Sequence, residues 1–294
     1  MFKKSCFLLA AGLMLAAGGS VQGAVTTIPV SALLPSTQYY TSDIGGGIGN
    51  AVVYNGGISR SSDPIRNDDA FTGPLNLGFT LNFFGGNYTQ YYLNNNGNIS
   101  FNAGISDFTP TGPQGAAQPI ISPFFADVDT RNTASGLVYL RNDIANEIIV
   151  TWDQVGYYGA HADKLDSFQL VLRGPGYAVP AGEGQIGFFW NSMQWETGDA
   201  SGGSGGFGGT PAAVGFGDGS SNGAVLAGSI QNGIAQEVSF HRLWFSLTQD
   251  GVPEPICGIP GTPPCNGTVP EPATLALLGI GLAGLGFGRR RKAH

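Results

Sequence analysis

The chain has 294 residues and is rich in glycine and aromatic residues, with 48 glycines and 18 phenylalanines, but it carries only 13 basic and 20 acidic residues. This composition excludes a disordered protein and a charged helical bundle. The net charge of −7 at pH 7 excludes the basic surface that nucleic acids and anionic membranes attract, so no nucleic-acid partner is expected.

The N-terminal segment has the three parts of a secretory signal peptide. Lys3 and Lys4 precede an apolar stretch at 7–17, and small residues follow up to Gly23. This order predicts a signal helix over residues 1–23 that signal peptidase removes during export. The remainder of the chain is therefore expected to fold outside the cytoplasm.

Residues 24–250 are predicted to form one β domain, with its core at about 71–240. Short runs of β-branched and aromatic residues alternate there with Gly, Asn, Asp and Pro, and helical periodicity is almost absent. The motif NNGN at 95–98 predicts a tight hairpin turn. Strands are predicted at 51–54, 77–83, 90–93, 98–101, 120–124, 136–140, 147–152, 167–173, 184–190, 213–216 and 236–245. Their spacing predicts an all-β fold, an antiparallel β sandwich.

Seven short motifs follow one another in this domain. They are GFTLNFFG at 78–85, NNGNISF at 95–101, ISPFFADVD at 121–129, IVTW at 149–152, SFQLVL at 167–172, GFFW at 187–190 and AVGF at 213–216. The ordered set resembles the nidogen-like (NIDO) domain, an extracellular module of nidogens, mucins and bacterial surface proteins. The resemblance implies adhesion or matrix roles and no enzymatic activity. A Gly/Ser-rich insert at 198–209 departs from the family pattern.

Asp127 and Asp129 are the candidate metal ligands. Residues two apart on a strand point to one face, so both carboxylates could meet a calcium ion, with backbone or Asn132 oxygens completing its shell. Calcium is therefore the only cofactor that the sequence suggests. The alternative, weighed as the commoner arrangement, is that both carboxylates cap a turn or pair with Arg131. Four other acids are expected to be solvated loop residues: Asp68, Asp69, Asp163 and Asp166.

No catalytic residue is predicted, so the chain is not expected to be an enzyme. His161 and His241 lie in none of the local motifs of hydrolases or metalloproteases. Glu183 and Glu196 could flank a sugar as a glycosidase pair. A secreted glycan-processing enzyme is therefore kept as the last alternative.

Residues 251–268 are predicted to be a linker rich in Pro, Gly and Cys. Cys257 and Cys265 lie close together in it, which predicts a small disulfide loop in an exported protein, with two free thiols as the alternative. A Val-Pro-Glu-Pro sequence at 252–255 is followed by no apolar run. It is assigned to this linker.

The segment 269–294 has three parts: a short motif, an uncharged apolar run at 273–288 and a basic cluster. As a helix, this run spans ~24 Å, a little less than the ~30 Å hydrocarbon core of a bilayer. It therefore predicts a single short transmembrane helix whose basic end faces the cytoplasm. The motif is Val269, Pro270, Glu271 and Pro272, and the cluster includes Arg289, Arg290 and Arg291.

These three parts resemble the PEP-CTERM sorting signal of Gram-negative bacteria. The resemblance implies processing near the motif by an exosortase, a membrane-embedded transpeptidase. Before processing, the chain is expected to be anchored in the inner membrane and to face the periplasm. After it, the chain is expected at the cell surface or in the extracellular matrix.

The predicted function is thus a non-enzymatic, exported bacterial protein of the cell surface or matrix that contributes to adhesion or biofilm structure. Its partners, besides exosortase and signal peptidase, are expected to be an extracellular polysaccharide or a matrix protein. The alternative function is a calcium-dependent, lectin-like module that binds polysaccharide.

Overall fold

The computed structural model of the chain describes residues 25–41, 45–58, 61–112 and 114–257. These residues form two nine-stranded sheets, and the sheets pack face to face around one large apolar cluster. The predicted all-β sandwich is therefore confirmed. The predicted terminal helices lie outside the described residues.

The described strands are short at the sheet edges and long in the centre. In chain order they are β1 (Val25–Ile28), β2 (Leu34–Pro35), β3 (Asn50–Ala51), β4 (Gly56–Gly57), β5 (Ala70–Phe71), β6 (Leu75–Phe83), β7 (Gly86–Asn94), β8 (Asn98–Ser100), β9 (Pro119–Phe125), β10 (Val128–Asp129), β11 (Leu137–Arg141), β12 (Glu147–Tyr157), β13 (His161–Arg173), β14 (Ile186–Trp190), β15 (Ala213–Asp218), β16 (Gly223–Leu226), β17 (His241–Leu247) and β18 (Pro253–Pro255).

The first sheet has the order β1-β16-β15-β9-β8-β7-β5-β4, with β6 paired to β7. The second has the order β18-β17-β14-β13-β12-β11-β3, with β10 on β12 and β2 on β17. Among the described strands only β1 and β16 pair in parallel. The chain crosses from the first sheet to the second between β9 and β10, and this crossing positions the candidate site.

Aromatic side chains fill the space between the sheets. Phe188 of the second sheet stacks on Phe216 of the first, with ring centroids 5.1 Å apart. The indole Nε1 of Trp190 donates a hydrogen bond across the interface to the carbonyl oxygen of Pro123 at 2.9 Å. Each buried aromatic ring removes 150–250 Å² of surface from water. The interface between the sheets is therefore the main source of stability.

The outer face of the second sheet carries a buried arginine. Arg173 is fully buried and pairs with Glu147 and Glu183, each at an N···O distance of 2.7 Å. Its guanidinium also lies 4.5–4.9 Å from the ring centroids of three aromatic residues. Burial lowers the pKa of Arg173, but the hydrogen bonds from its guanidinium to Glu147 and Glu183 outweigh that effect and raise it. The three rings belong to Tyr40, Tyr177 and Trp244.

The strand predicted at 236–245 is wrong in its first half. Residues Ile234–Val238 form a helix, α1, and the strand β17 begins only at His241. The carboxylate of Glu196 accepts hydrogen bonds from the backbone N–H groups of Gly233 and Ala235 at 2.9–3.1 Å. The first N–H groups of a helix have no partner within the helix. The side chain of Glu196, which is distant in sequence, supplies that partner and caps α1. Two 3₁₀ turns also lie in the described part of the chain, at Val30–Ala32 and Asp199–Ser201.

The sheet also extends into the predicted linker. Strand β18 pairs with Phe245–Leu247 at the edge of the second sheet, so the sheet continues past residue 250. Proline lacks a backbone N–H and is confined to edge strands. The Pro-Glu-Pro sequence of β18 is therefore compatible with this edge, where Pro253 is buried and Glu254 exposed.

Candidate functional site

Three buried carboxylates meet at the crossing between the sheets. Asp68 and Asp69 come directly before β5, and Asp127 lies between β9 and β10. One oxygen from each of the three carboxylates lies within 4.8 Å of the other two. All three residues are at most 1% exposed. We call Asp68, Asp69 and Asp127 the aspartate cluster.

Backbone pairing brings the two segments of the aspartate cluster together. The residues before β5 run antiparallel to β10, with a bridge between Asp68 and Asp129. Next to that bridge, the N–H of Asn67 donates to Thr130 Oγ1 at 2.8 Å, and the N–H of Thr130 donates to the carbonyl oxygen of Asn67 at 3.0 Å. This clamp joins residues that are far apart in sequence.

The turn between β7 and β8 closes one side of the cluster. Asn95 Nδ2 donates to the carbonyl oxygen of Val128 at 2.6 Å, and Asn96 Nδ2 donates to Asp69 Oδ1 at 2.9 Å. Gly97 has a φ of +77°, as the predicted tight turn requires. A Cβ at this position would overlap the carbonyl oxygen of Phe124, so glycine is required there on two grounds.

Gly198 closes another side. A Cβ built on it would lie 2.5 Å from both Cβ and Oδ2 of Asp127. The backbone of Gly198 therefore packs directly against this carboxylate, and the neighbouring Thr197 is fully buried. The Gly/Ser-rich insert thus begins at the aspartate cluster.

Asp129 has a different environment from Asp127. Its Oδ1 accepts hydrogen bonds from the backbone N–H and Nε of Arg131 at 2.9 Å, and its Oδ2 accepts one from the N–H of Ala160 at 2.7 Å. These hydrogen bonds to Asp129 raise the pKa of Arg131 despite its partial burial. The alternative pairing of Asp129 with Arg131 is therefore the one that the structure contains.

The strand argument that placed Asp127 and Asp129 on one face fails at the crossing. Strand β9 ends at Phe125 and β10 starts at Val128, in different sheets, so the alternation of side chains is interrupted between them. Arg131 links the two environments, since its Nη2 lies 3.1 Å from Asp68 Oδ2.

Several other expectations for polar residues are corrected. Asp68, Asp69 and Asp166 are fully buried rather than solvated, whereas Asp163 is exposed. Burial raises the pKa of Asp166 well above its usual value. Asn132, considered as a further metal ligand, accepts the N–H of Ala134 at Oδ1 and donates from Nδ2 to the carbonyl oxygen of Ala160.

The residues considered for catalysis do not converge. Glu183 precedes β14 and pairs with Arg173, while Glu196 follows β14 and caps α1. His161 lies at the surface near Asp199, with Nε2 and Oδ2 3.2 Å apart. His241 Nδ1 lies 2.8 Å from the carbonyl oxygen of Ser239. These contacts give each of the four groups a separate partner.

The terminal sites fall largely outside the described residues. These include the signal peptide at 1–23, the sorting residues at 269–272 and 289–291, and Cys265. Cys257 is disulfide-bonded, while its pairing with Cys265 stays a prediction. Within the described part of the chain, no helix has the length and apolar character needed to cross a membrane.

Two family models match the chain. One, described as NIDO related, matches residues 52–240, and the other, a PEP-CTERM protein-sorting motif, matches residues 268–292. No solved structure matches the chain.

Similar curated proteins include alpha-tectorin and nidogen. Alpha-tectorin of Mus musculus is 33% identical over 181 residues, which cover 52% of this chain and 8% of that protein. Alpha-tectorin of Gallus gallus is 31% identical over 181 residues, which again cover 52% of this chain and 8% of that protein. Nidogen of Drosophila melanogaster is 28% identical over 129 residues, which cover 35% of this chain and 10% of that protein. The match thus spans at most a tenth of the length of these relatives.

Proposed function

The chain belongs to the NIDO-related family, and we propose that it is an exported, non-enzymatic structural protein of the bacterial cell surface or extracellular matrix. In this proposal the NIDO-related domain contributes to adhesion or to biofilm structure. An exosortase sorts the chain after transient anchoring in the inner membrane, with the domain facing the periplasm.

One observation carries this proposal: a NIDO-related domain at 52–240 and a PEP-CTERM sorting motif at 268–292 occur in the same chain. The motif suggests an exported protein that exosortase processes, and the domain suggests an extracellular, matrix-like module. Sorting would therefore deliver the domain to the place where such a module works.

The geometry of the domain supports a structural role over an enzymatic one. Its centre is a packed aromatic core between two sheets, and Glu183 and Glu196 make separate structural contacts at opposite ends of β14. A glycosidase needs two carboxyl groups about 5–10 Å apart that face one sugar. The observed contacts favour scaffolding.

The lectin-like alternative is less well supported. A calcium ion that bridges a protein to polysaccharide must keep coordination positions open at the surface. The aspartate cluster is at most 1% exposed, so an ion there would be enclosed by the protein. Binding to polysaccharide would have to use another surface.

We also propose the following division of the chain: signal peptide at 1–23, folded domain at 24–257, a short linker at 258–268 and the sorting segment at 269–294. The shift of the domain boundary to 257 rests on strand β18.

Two matched substitutions test the sorting. The chain contains Val-Pro-Glu-Pro twice, and only the second copy precedes an apolar run. Glu271→Ala is expected to leave the full-length chain in the membrane fraction of the producing cells, because exosortase no longer recognises the motif. Glu254→Ala changes the same residue in the copy that forms an exposed edge strand. It is expected to leave release unchanged.

The readout is the fraction of chain found in membranes and in the extracellular fraction by immunoblot. Normal release of the Glu271→Ala variant would refute sorting at this motif. The structural role is tested separately by deleting the gene and measuring how much polysaccharide the cells retain in their matrix. Unchanged retention and cell aggregation would contradict that role.

A further inference from the structure

We propose that the Gly/Ser-rich insert presents Phe207 as the stacking platform of a surface that binds neutral polysaccharide. The inference rests on the proposed structural role in the matrix and deepens it, because it names the class of ligand and the residues that contact it. No metal ion takes part in this surface, which distinguishes it from the calcium-dependent, lectin-like alternative.

Hydrogen bonds fix the insert at several points, although its composition is typical of a flexible linker. The carbonyl oxygen of Gly206 accepts a hydrogen bond from the N–H of Glu196 at 2.8 Å, and the N–H of Thr210 donates to the carbonyl oxygen of Ser201 at 3.0 Å. Ser201 Oγ also lies 2.7 Å from Thr109 Oγ1, which belongs to a distant segment. The insert is therefore anchored to the rest of the domain.

A tight turn inside the insert places Phe207 at the surface. The N–H of Ser204 donates to the carbonyl oxygen of Phe207 at 2.8 Å, and the two residues form a bridge. Between them Gly205 and Gly206 have φ values of +60° and +90°, which glycine adopts most easily. The side chain of Phe207 is 46% exposed.

The fixed presentation of Phe207 indicates a binding role more strongly than its exposure does. Single apolar side chains are common at protein surfaces. Glycine, however, loses more conformational freedom on folding than any other residue, so ordering this turn opposes folding. A loop that is ordered before it binds loses less entropy on binding. The turn around Phe207 has this property.

The start of β13 lies beside the turn. A Cβ built on Gly206 would lie 3.6 Å from Cδ of Lys164, so the stem of Lys164 lies next to the residue that precedes Phe207. Nζ of Lys164 lies 2.8 Å from Oδ2 of Asp163. A positive and a negative group therefore lie close to the exposed ring.

A second pair of polar side chains continues this surface. His161 Nε2 lies 3.2 Å from Oδ2 of Asp199, which belongs to the insert. The imidazole stacks on Tyr157 with ring centroids 4.6 Å apart, and the hydroxyl of Tyr157 donates to Asp163 Oδ1 at 2.9 Å. The four polar side chains are 32–56% exposed. We call the following five residues the Phe207 surface: His161, Asp163, Lys164, Asp199 and Phe207.

The chemistry of the Phe207 surface is suited to a sugar unit, which has C–H groups on its faces and hydroxyl groups around its edge. The face of an aromatic ring is negative and attracts such C–H groups while both become shielded from water. Sugar hydroxyls can donate to a carboxylate and accept from an ammonium group. Hydrogen bonds from Lys164 and Tyr157 hold the pKa of Asp163 below its usual value, so this carboxylate is an ionised acceptor at neutral pH.

Charge and apolar area disfavour other partners. The Phe207 surface has two carboxylates and one ammonium group, and the whole chain has a net charge of −7, so anionic lipids and acidic polysaccharides are repelled. A protein partner typically covers about 800 Å² and needs several apolar anchors. The neighbours of Phe207 in the insert are glycine and serine, which supply little apolar area. One aromatic ring with polar groups beside it matches one sugar unit.

The experiment measures binding of the full-length chain, purified in detergent, to the extracellular polysaccharide of the producing cells. The polysaccharide is freed of protein with proteinase K, separated by anion exchange into a neutral and an acidic fraction, and immobilised on beads. Untreated matrix material is tested in parallel. We expect saturable binding to the neutral fraction that EDTA does not change.

Four variants locate the surface. Phe207→Ala should weaken binding by at least about tenfold, as truncation of a central aromatic contact does, whereas Phe207→Trp keeps an aromatic face and should retain binding. Lys164→Ala should weaken binding by about threefold through the loss of one charged donor. Phe240→Ala is the matched control, because Phe240 is 49% exposed and lies outside the Phe207 surface, and it should bind like the wild type. Near-UV circular dichroism verifies that each variant is folded.

The proposal is overturned if the folded Phe207→Ala variant binds the neutral fraction as tightly as the wild type, or if EDTA abolishes binding. Binding only to the acidic fraction would assign an acidic ligand, and binding only to untreated matrix would assign a protein partner. Either result, or no binding at all, removes this surface. If deletion of the gene nevertheless lowers the polysaccharide that the cells retain, the structural role survives, so the two proposals fail separately.

Discussion

Replacing Arg173 by methionine is expected to destabilise the domain severely. The substitution leaves the carboxylate of Glu147, which is fully buried and 2.7 Å from Arg173 Nε, without its cation. Breaking a buried ion pair in this way costs about 3–5 kcal/mol. The methionine retains part of the contact with Tyr40, Tyr177 and Trp244, because its thioether packs well on aromatic rings.

The loss is large compared with the stability of an ordinary domain, about 5–15 kcal/mol. It should appear in urea denaturation as a lower midpoint with an unchanged m-value. Trp244 lies beside the guanidinium, 4.5 Å from ring centroid to Cζ, so tryptophan fluorescence reports on this region directly.

A second variant separates the loss of charge balance from the loss of packing. In Arg173→Met/Glu147→Leu, no unpaired carboxylate remains at position 147, and apolar replacements of buried ion pairs are often neutral. The double variant should therefore recover at least half of the stability lost in the single variant. A single variant that loses less than about 1 kcal/mol, or a double variant no more stable than the single one, would refute this account of Arg173.

Two further substitutions follow from backbone geometry and burial. Gly97→Ala should lower the free energy of unfolding by about 2–5 kcal/mol in urea denaturation, because Gly97 has a positive φ and a Cβ there meets the carbonyl oxygen of Phe124. The control is Gly85→Ala, which has the same φ of +77° but open space around it, and it should cost only about 1–2 kcal/mol. Equal losses in the two variants would contradict the steric argument. Burial raises the folded-state pKa of Asp166 above 3.8, so the penalty for ionising it is absent below that pH and grows as pH rises. Asp166→Asn should therefore reduce the fall in stability measured from pH 3.8 upward, and an unchanged pH profile would contradict the shift.

The strands were predictable where local composition and tertiary context agree. Segments 77–83, 147–152 and 167–173 are rich in β-branched and aromatic residues, and each lies within an observed strand. The NNGN turn was also predictable, because Gly97 satisfies a local backbone requirement. The almost complete burial of its asparagines was not predictable, because the segments that cover them are distant in sequence.

The aspartate cluster was only partly predictable for the same reason. Asp127 stands in a motif of apolar residues, which favoured it as a candidate. Asp68 and Asp69 stand in a stretch of loop-like composition. Contacts with residues distant in sequence bury them, among them the clamp between Asn67 and Thr130. A sequence signal was nevertheless present: two adjacent acids directly before a strand, and an asparagine-rich turn that supplies amide groups.

Helix α1 and strand β18 show two other limits. The run before β17 has apolar residues suited to a strand, but the cap from Glu196, 37 residues away from Gly233, favours a helix. Pro253 and Pro255 suggested a linker, since proline disrupts central strands. The edge of the second sheet tolerates them, and sequence composition alone does not indicate which strand forms an edge.

The most direct test of the central claim is to recover the chain from the extracellular matrix of the producing cells and measure its intact mass. The account predicts a chain that has lost residues 1–23 and the segment after the 269–272 motif. Recovery only from the cytoplasm, or with residues 273–294 intact at the surface, would contradict it.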